Sequence, residues 1–381
     1  MGCEKVRSNF WIFRKFKNYF KTGTLVLAIL AMLTWLLTIF AAKNPETVEK
    51  LYSSTVYPYI AKSIGLIFGI FPISIAEIII IIIFVLVLTG LLFLLFSPKK
   101  ILDNKKLIIN KIISCTSLVY ILFYFLWGFN YYRQEYSVLA DMDTDLGTLE
   151  ELFELSLEII NNLNEIRYNL LEDESGVFYV TENIRELSRQ AQKGFEDLWI
   201  GTINLSGNYG HVKPILLSGF MSYTGITGIY FPFTFEPNVN MDIPHHNLLA
   251  TICHEIAHQR GFAKEDEANF IAYRAAVNNP NDNFKYSGYY LAMRYLLTDL
   301  FNSDEVLYKL IYSKISDAVK RDMNFSENYW VSKEGSVERV VTAMNDMYLK
   351  ANNQSQGIKS YNKVVNLLIS EYRQKIKFST K

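Results

Sequence analysis

What the chain lacks narrows it first. Cysteine is down to three residues, Cys3, Cys115 and Cys253, at spacings that match neither a zinc knuckle nor a disulfide framework, so neither device holds the fold. There is no internal repeat, no low-complexity linker and no phosphate-binding loop, which sets aside repeat arrays and nucleotide-driven machines. A net charge is missing too, because 38 Lys and Arg balance 38 Asp and Glu. The balance hides a split: residues 1–129 carry 14 basic against 5 acidic residues, and the remainder carries 24 against 33. An acidic body without a basic stripe excludes a nucleic-acid partner.

The longest absence is of charge itself. Ile78 to Phe96 contains no charged residue and includes six consecutive isoleucines, a composition that a water-soluble fold cannot cover. Thr24 to Ala42 and Ile108 to Phe129 are two further apolar runs, and each of the three approaches the roughly 20 residues that cross a bilayer. Three transmembrane helices are expected, the first an uncleaved anchor because Ala41-Ala42 makes a poor cleavage site after so long a run. Lys5, Arg7, Arg14, Lys15, Lys17 and Lys21 precede the first run, and Lys99, Lys100, Lys105 and Lys106 lie between the second and third. Basic flanks stay in the cytoplasm. The expected organisation is therefore a cytoplasmic N-terminus (1–23), a membrane domain (24–129) in the plasma membrane, and an extracytoplasmic domain (130–381). Within 43–77 the apolar half Tyr57 to Ile75 is broken by Pro58, Gly65, Gly69 and Pro72. It reads as an extracytoplasmic loop element, with an interfacial or re-entrant helix as the alternative.

The extracytoplasmic part is organised around Leu248 to Tyr273, which contains His254-Glu255-Ile256-Ala257-His258, an HExxH pattern. On a helix, residues four apart share a face, so His254 and His258 can bring two imidazoles to one metal while Glu255 reaches a water beside it. Leu248, Leu249, Ile252, Cys253 and Ile256 form the apolar face of that helix, with Cys253 a small buried residue, and Gly261 stops it. Lys264 to Asn278 reads as a second helix with Glu265 and Glu267 in its first turn. At about 100° per residue, Glu265 shares a face with the small residues Ala268, Ala272 and Ala276 and with Asn269, whereas Glu267 points away. An antiparallel return at Gly261 brings Glu265 to the level of His258, making it the expected third ligand, with Asn269 behind it. The alternative is that both glutamates serve the helix N-terminus, and Glu267 is the rival ligand. His245 and His246 follow Pro244 and read as an exposed loop; His211 carries no mark.

Helical spacing marks Leu149 to Leu171, Thr181 to Trp199 with Thr181 as N-cap, Tyr286 to Phe301, Ser303 to Ala318, Val337 to Lys350 and Tyr361 to Ile376. Gly201 to Asn240 is the strand region, and Ile226 to Phe235 its clearest run. A strand at Ile229 to Phe235 would hold a substrate backbone by edge pairing, or else simply cover the core as a hairpin.

The runs GIYFPFTFEPNVN (228–240), ICHEIAHQRGFAKEDEANFIAY (252–273) and YLKANNQSQGIKSYNKVVNLL (348–368) resemble a bacterial family of uncharacterised membrane proteins with N-terminal spans and an HExxH domain. More loosely, Glu265-Asp266-Glu267-Ala268-Asn269 is similar to the ExxAN setting of gluzincin peptidases, in which a glutamate on a second helix completes the zinc site. Only six residues separate His258 from Glu265, and the position of a third metzincin histidine falls on Lys264. The expected fold is a mainly α membrane protein, three N-terminal transmembrane helices followed by a mostly helical α+β zincin-like domain with a small β-sheet. The expected function is a membrane-anchored zinc metallohydrolase, a metallopeptidase acting on peptide or protein, with Zn2+ on His254, His258 and Glu265 and with Glu255 as general base. Its partners are the lipid bilayer and that substrate. The alternative is a non-catalytic receptor or scaffold with a structural or ligand-binding zinc site, for which Glu255 has no use.

Overall fold

The computed structural model describes residues 20–97, 99, 103–143, 145–354 and 363–379. Cys3, Lys100 and the basic residues ahead of Lys21 lie outside them, as do residues 355–362 of the late family-like run. The first part forms α1 (Thr22–Lys43), α2 (Tyr57–Gly69), α3 (Ile75–Phe96) and α4 (Lys105–Leu126). α1, α3 and α4 are each long and apolar enough to cross a membrane. From Ile80 onward the large side chains of α3 are exposed almost without break, which suits lipid and not water. α1 and α4 pack together, Lys21 N donating to Asn110 Oδ1 (2.8 Å) and the Thr24 and Ser114 hydroxyls lying 2.9 Å apart. Polar contacts between helices of this kind join spans that gain nothing from burying leucine.

Between α1 and α3 the chain is helical rather than a loop. One turn (Pro45–Val48) and a run of wide π-helical turns (Glu49–Val56) lead into α2. Tyr57, Ala61 and Gly65, four residues apart, make the buried face of α2. A Cβ at Gly65 would run into the Tyr209 carbonyl and come within 3.3 Å of the Gln259 side chain, so glycine is what lets α2 dock on the body. α4 ends at Leu126, and the rest of the expected third run becomes a buried 3-10 turn (Gly128–Tyr132). Its aromatic rings are buried, Phe129 against Tyr52, Tyr124 and Phe125, and Tyr131 against Tyr348 of the body.

The body begins with α5 (Leu149–Arg167), opened by a capping box of Thr148 and Glu151. α6 (Ile184–Gly194) is capped by Asn183, which accepts from Glu186 N, and not by Thr181. The aspartate-family side chain two residues later wins because it sits where the backbone turns in. β1 (Trp199–Ile200) and β2 (Ile203–Asn204) pair as a hairpin. β3 (Lys213–Pro214), β4 (Gly228–Phe231) and β5 (Glu236–Val239) form a sheet in the order β3-β5-β4, with β5 central, parallel to β3 and antiparallel to β4. The Ile226 to Phe235 run is thus only partly strand, since the chain reverses after Phe231 and Phe235 takes a left-handed φ of 55°.

There follow α7 (His245–Gln259), α8 (Glu265–Val277), α9 (Asp282–Ser303), α10 (Glu305–Ser313), α11 (Asp317–Val331), α12 (Ser336–Ala351) and α13 (Lys363–Ser379). The single helix expected over Ser303 to Ala318 is two, because Asp304 caps α10 and Ser316 caps α11. α7 is central: its apolar residues Leu248, Leu249, Ile252, Cys253 and Ile256 are all buried in the main core with α5, α8 and α9. A second core joins the membrane-side segments to the body through Tyr57, Trp127, Tyr131, Tyr230, Phe235 and Ala263. Beside it, Arg133 makes a two-pronged ion pair with Glu49 (2.7 and 3.0 Å) and donates to the Gly261 carbonyl (3.0 Å), all buried. Buried charges of this kind are tolerated only when fully paired.

Candidate metal centre

α7 and α8 build the centre. His254 and His258 stand one turn apart on α7, their rings 4.5 Å between centroids and nearly perpendicular. Gly261 then reverses the chain with φ 91°, a left-handed conformation that favours glycine. α8 starts four residues later at Glu265. Its carboxylate lies 3.3 Å from His254 Nε2 and 3.7 Å from His258 Nε2, and one donor atom from each of the three residues falls within 4.8 Å of the others. Tetrahedral ligands at ~2.0–2.1 Å from one zinc would stand about 3.4 Å apart. The donor set fits such an ion.

Hydrogen bonding orients the imidazoles. His258 Nδ1 is 2.7 Å from the Phe262 carbonyl, which can only accept, so Nδ1 carries the proton and the Nε2 lone pair faces Glu265. Burial pushes the pKa of His258 down to about 4, with His254 adding to the effect. For His254 burial also disfavours charge, but the Glu265 carboxylate outweighs it and raises the pKa, with Glu255 and Asn269 assisting. Asn269, one turn beyond Glu265, faces this imidazole.

Glu255 stands next to the pair. It is 3 % exposed and its Oε2 has no hydrogen-bond partner among the described residues. Burial pushes its pKa up to about 8, although His254 pulls it back and Glu265 lifts it further. It lies against Gly228 of β4, where a Cβ would come within 2.8 Å of the carboxyl carbon. A cleft of about 760 Å³ opens here, with His254, Glu255, His258 and Glu265 on one side and Gly228 to Phe231 on another. β4 is one of the two edge strands of its sheet and pairs only with β5 among the described residues. Its free edge offers backbone donors and acceptors to an extended chain.

Glu267 does not join the cluster. It accepts from Tyr136 N (2.9 Å) and pairs with Lys264 (3.4 Å). His245 and His246 are not an exposed loop, because α7 begins at His245. His245 Nδ1 accepts from Val180 N (3.0 Å) and the ring stacks on Tyr179. His246 is fully buried in the far wall of the cleft against Tyr290, and burial pushes its pKa down to about 3. His211 lies away from the centre, its pKa lowered by burial and by Arg185.

Several cleft residues carry no local sequence signal. Trp127 presents its ring edgewise to His258 (5.9 Å). The Tyr131 and Tyr348 hydroxyls lie 3.0 Å apart, and burial raises the pKa of Tyr131, with Tyr348 and the nearby Glu265 adding to it. They come from the segment after α4 and from α12, and only the tertiary fold brings them to α7.

The chain belongs to the family described as protein of unknown function (DUF3810), which matches residues 52–369. No curated protein and no solved structure matches it. The matched stretch runs from the π-helical turns through α3 and α4 to the last helix, so two of the three long apolar helices and the cleft belong to one family unit.

The geometry separates the two acidic residues by experiment. Glu265→Ala is expected to weaken zinc binding by more than about 100-fold, beyond the 10–100-fold typical of an outer partner. Glu267→Ala should leave zinc affinity within a few-fold and instead lower unfolding stability by about 1–3 kcal/mol, since Tyr136 N loses its acceptor. Competition titration with a chromogenic chelator and thermal unfolding read the two effects, and the reverse ranking would move the ligand to Glu267.

Proposed function

We propose that this member of the family is a membrane-anchored zinc metallohydrolase, with peptides as its substrate class and its cleft outside the cytoplasm. The observation that carries the proposal is the convergence of His254, His258 and Glu265 beside a buried, unpaired Glu255 that faces the cleft. Two neutral imidazoles and one carboxylate are a common three-residue set for catalytic zinc, which keeps a fourth position open. Bound there, zinc supplies Lewis acidity, polarising a carbonyl and making water acidic near neutral pH.

The residues of the chain supply the rest. Glu255 accepts a proton from the attacking water and passes it to the leaving amine; its burial makes it a stronger base than an ordinary carboxylate. The free edge of β4 pairs with an extended backbone and lays it along the cleft beside Glu255. Tyr131 and Tyr348, at the side of Glu265, are the phenols placed to steady a carbonyl oxygen as it gains charge. A site that only held a metal for structure would give the unpaired Glu255 carboxylate no task. The ten basic residues on the two flanks read as cytoplasmic support a body on the other side of the membrane.

Glu255→Gln is expected to retain the metal while lowering kcat by about 10²–10⁴-fold or more on a peptide-library substrate that the parent cleaves. Equal turnover by the variant would sink the general-base assignment. For orientation, alkaline phosphatase fused after Lys381 should be active in whole cells, and an inactive but intact fusion would place the body in the cytoplasm.

A further inference from the structure

Two clusters of exposed apolar side chains flank the point where α3 leaves the body. Ile67, Ile70, Phe71 and Ile73 lie at the end of α2 and in its short connection to α3. Leu216, Leu217 and Phe220 lie after β3, around the one-turn helix Ser218–Ser222. Ile70 is 79 % exposed and Phe220 76 %. Apolar side chains gathered in this way mark a surface that something covers.

Hydrogen bonds fix both clusters at the level of the first turn of α3. Glu77 accepts from Leu216 N (2.8 Å) and Leu217 N (2.9 Å). Glu236, on β5, accepts from Ile75 N (3.2 Å) and Ala76 N (2.8 Å), satisfying donors that the helix itself leaves open. The buried Lys213 donates to the Gly69 carbonyl (3.3 Å) and also reaches the Phe71 carbonyl. The uncharged run of α3 begins one residue after Glu77. Both clusters are therefore continuous with the surface that α3 turns toward lipid.

We infer that Ile67 to Ile73 and Leu216 to Phe220 form a membrane-seated face of the body, dipping into the bilayer interface on either side of α3. The occupant is the lipid surface, because the apolar patch adjoins a helix of membrane-spanning length and composition. This face sets the height of the cleft. Phe231 of β4 pairs with Glu236, the residue that caps α3, and Gly228 at the other end of β4 touches Glu255. The three residue steps between them span about 10 Å. Resting on the hydrolase reading, the cleft takes polypeptide segments that lie next to the bilayer.

Nitroxide labels on the full chain test the membrane face, and their readout does not involve hydrolysis. Ile70→Cys, Phe220→Cys and, as a control joined to neither cluster, Val306→Cys on α10 are each made with Cys3→Ser and Cys115→Ser, and reconstituted in vesicles of phosphatidylethanolamine and phosphatidylglycerol. Collision rates with oxygen, which concentrates in lipid, and with a nickel chelate, which stays in water, are compared. At 70 and 220 the ratio of oxygen to nickel collisions is expected to exceed that at 306 severalfold. A ratio like that at 306 overturns the proposal in favour of an aqueous surface, and low rates with both reagents overturn it in favour of a protein cover.

Discussion

The arrangement depends on the turn at Gly261. His254 and His258 are fixed by helical periodicity, but Glu265 meets them only because the chain reverses there with φ 91°. The turn is held from the membrane side. The Tyr57 ring packs where a Cβ on Gly261 would stand, 2.8 Å from its nearest atom, and the Tyr57 hydroxyl donates to the Gln259 carbonyl (3.1 Å). Arg133, paired with Glu49, donates to the Gly261 carbonyl itself. A residue from α2 and a buried ion pair at the ends of the spans thus set the distance between α7 and α8. This is a physical reason for the family unit to include α2 and the segment after α4 along with the HExxH helix, and Glu49 itself lies just ahead of the matched residues.

Electrostatics explain why such a cluster would suit a cation. Two imidazoles and two carboxylates lie together with little solvent, and burial works against the charged form of each imidazole and of Glu255. Glu265 outweighs this only for His254, whose pKa it raises. A divalent ion in the same place would satisfy the three inward donors at once and leave Glu255 as the base beside it.

Much of this was legible in sequence, for identifiable reasons. The HExxH spacing, the glycine stop and the one-face placement of Glu265 follow from a 3.6-residue period, and Glu267 does point elsewhere, into the backbone at Tyr136. The three long apolar helices were legible because their length and composition alone set them apart from the rest of the chain. What sequence hid was tertiary. Tyr57, Ala61 and Gly65 look like a broken apolar stretch until the Tyr209 carbonyl is seen filling the space above Gly65. His246 follows a proline and reads as exposed, yet it is the first turn of a buried helix. Trp127, Tyr131 and Tyr348 reach the cleft from more than a hundred residues away on one side and about ninety on the other, with no periodicity to announce them.

The central claim is that one zinc sits on two imidazoles and one carboxylate. Zinc-edge X-ray absorption on the purified full chain, loaded with one equivalent of zinc, tests it most directly. The account predicts a nitrogen and oxygen shell at about 2.0–2.1 Å with imidazole outer scattering from two histidines. A sulfur shell at about 2.3 Å, or a metal that shows no imidazole scattering, would contradict it.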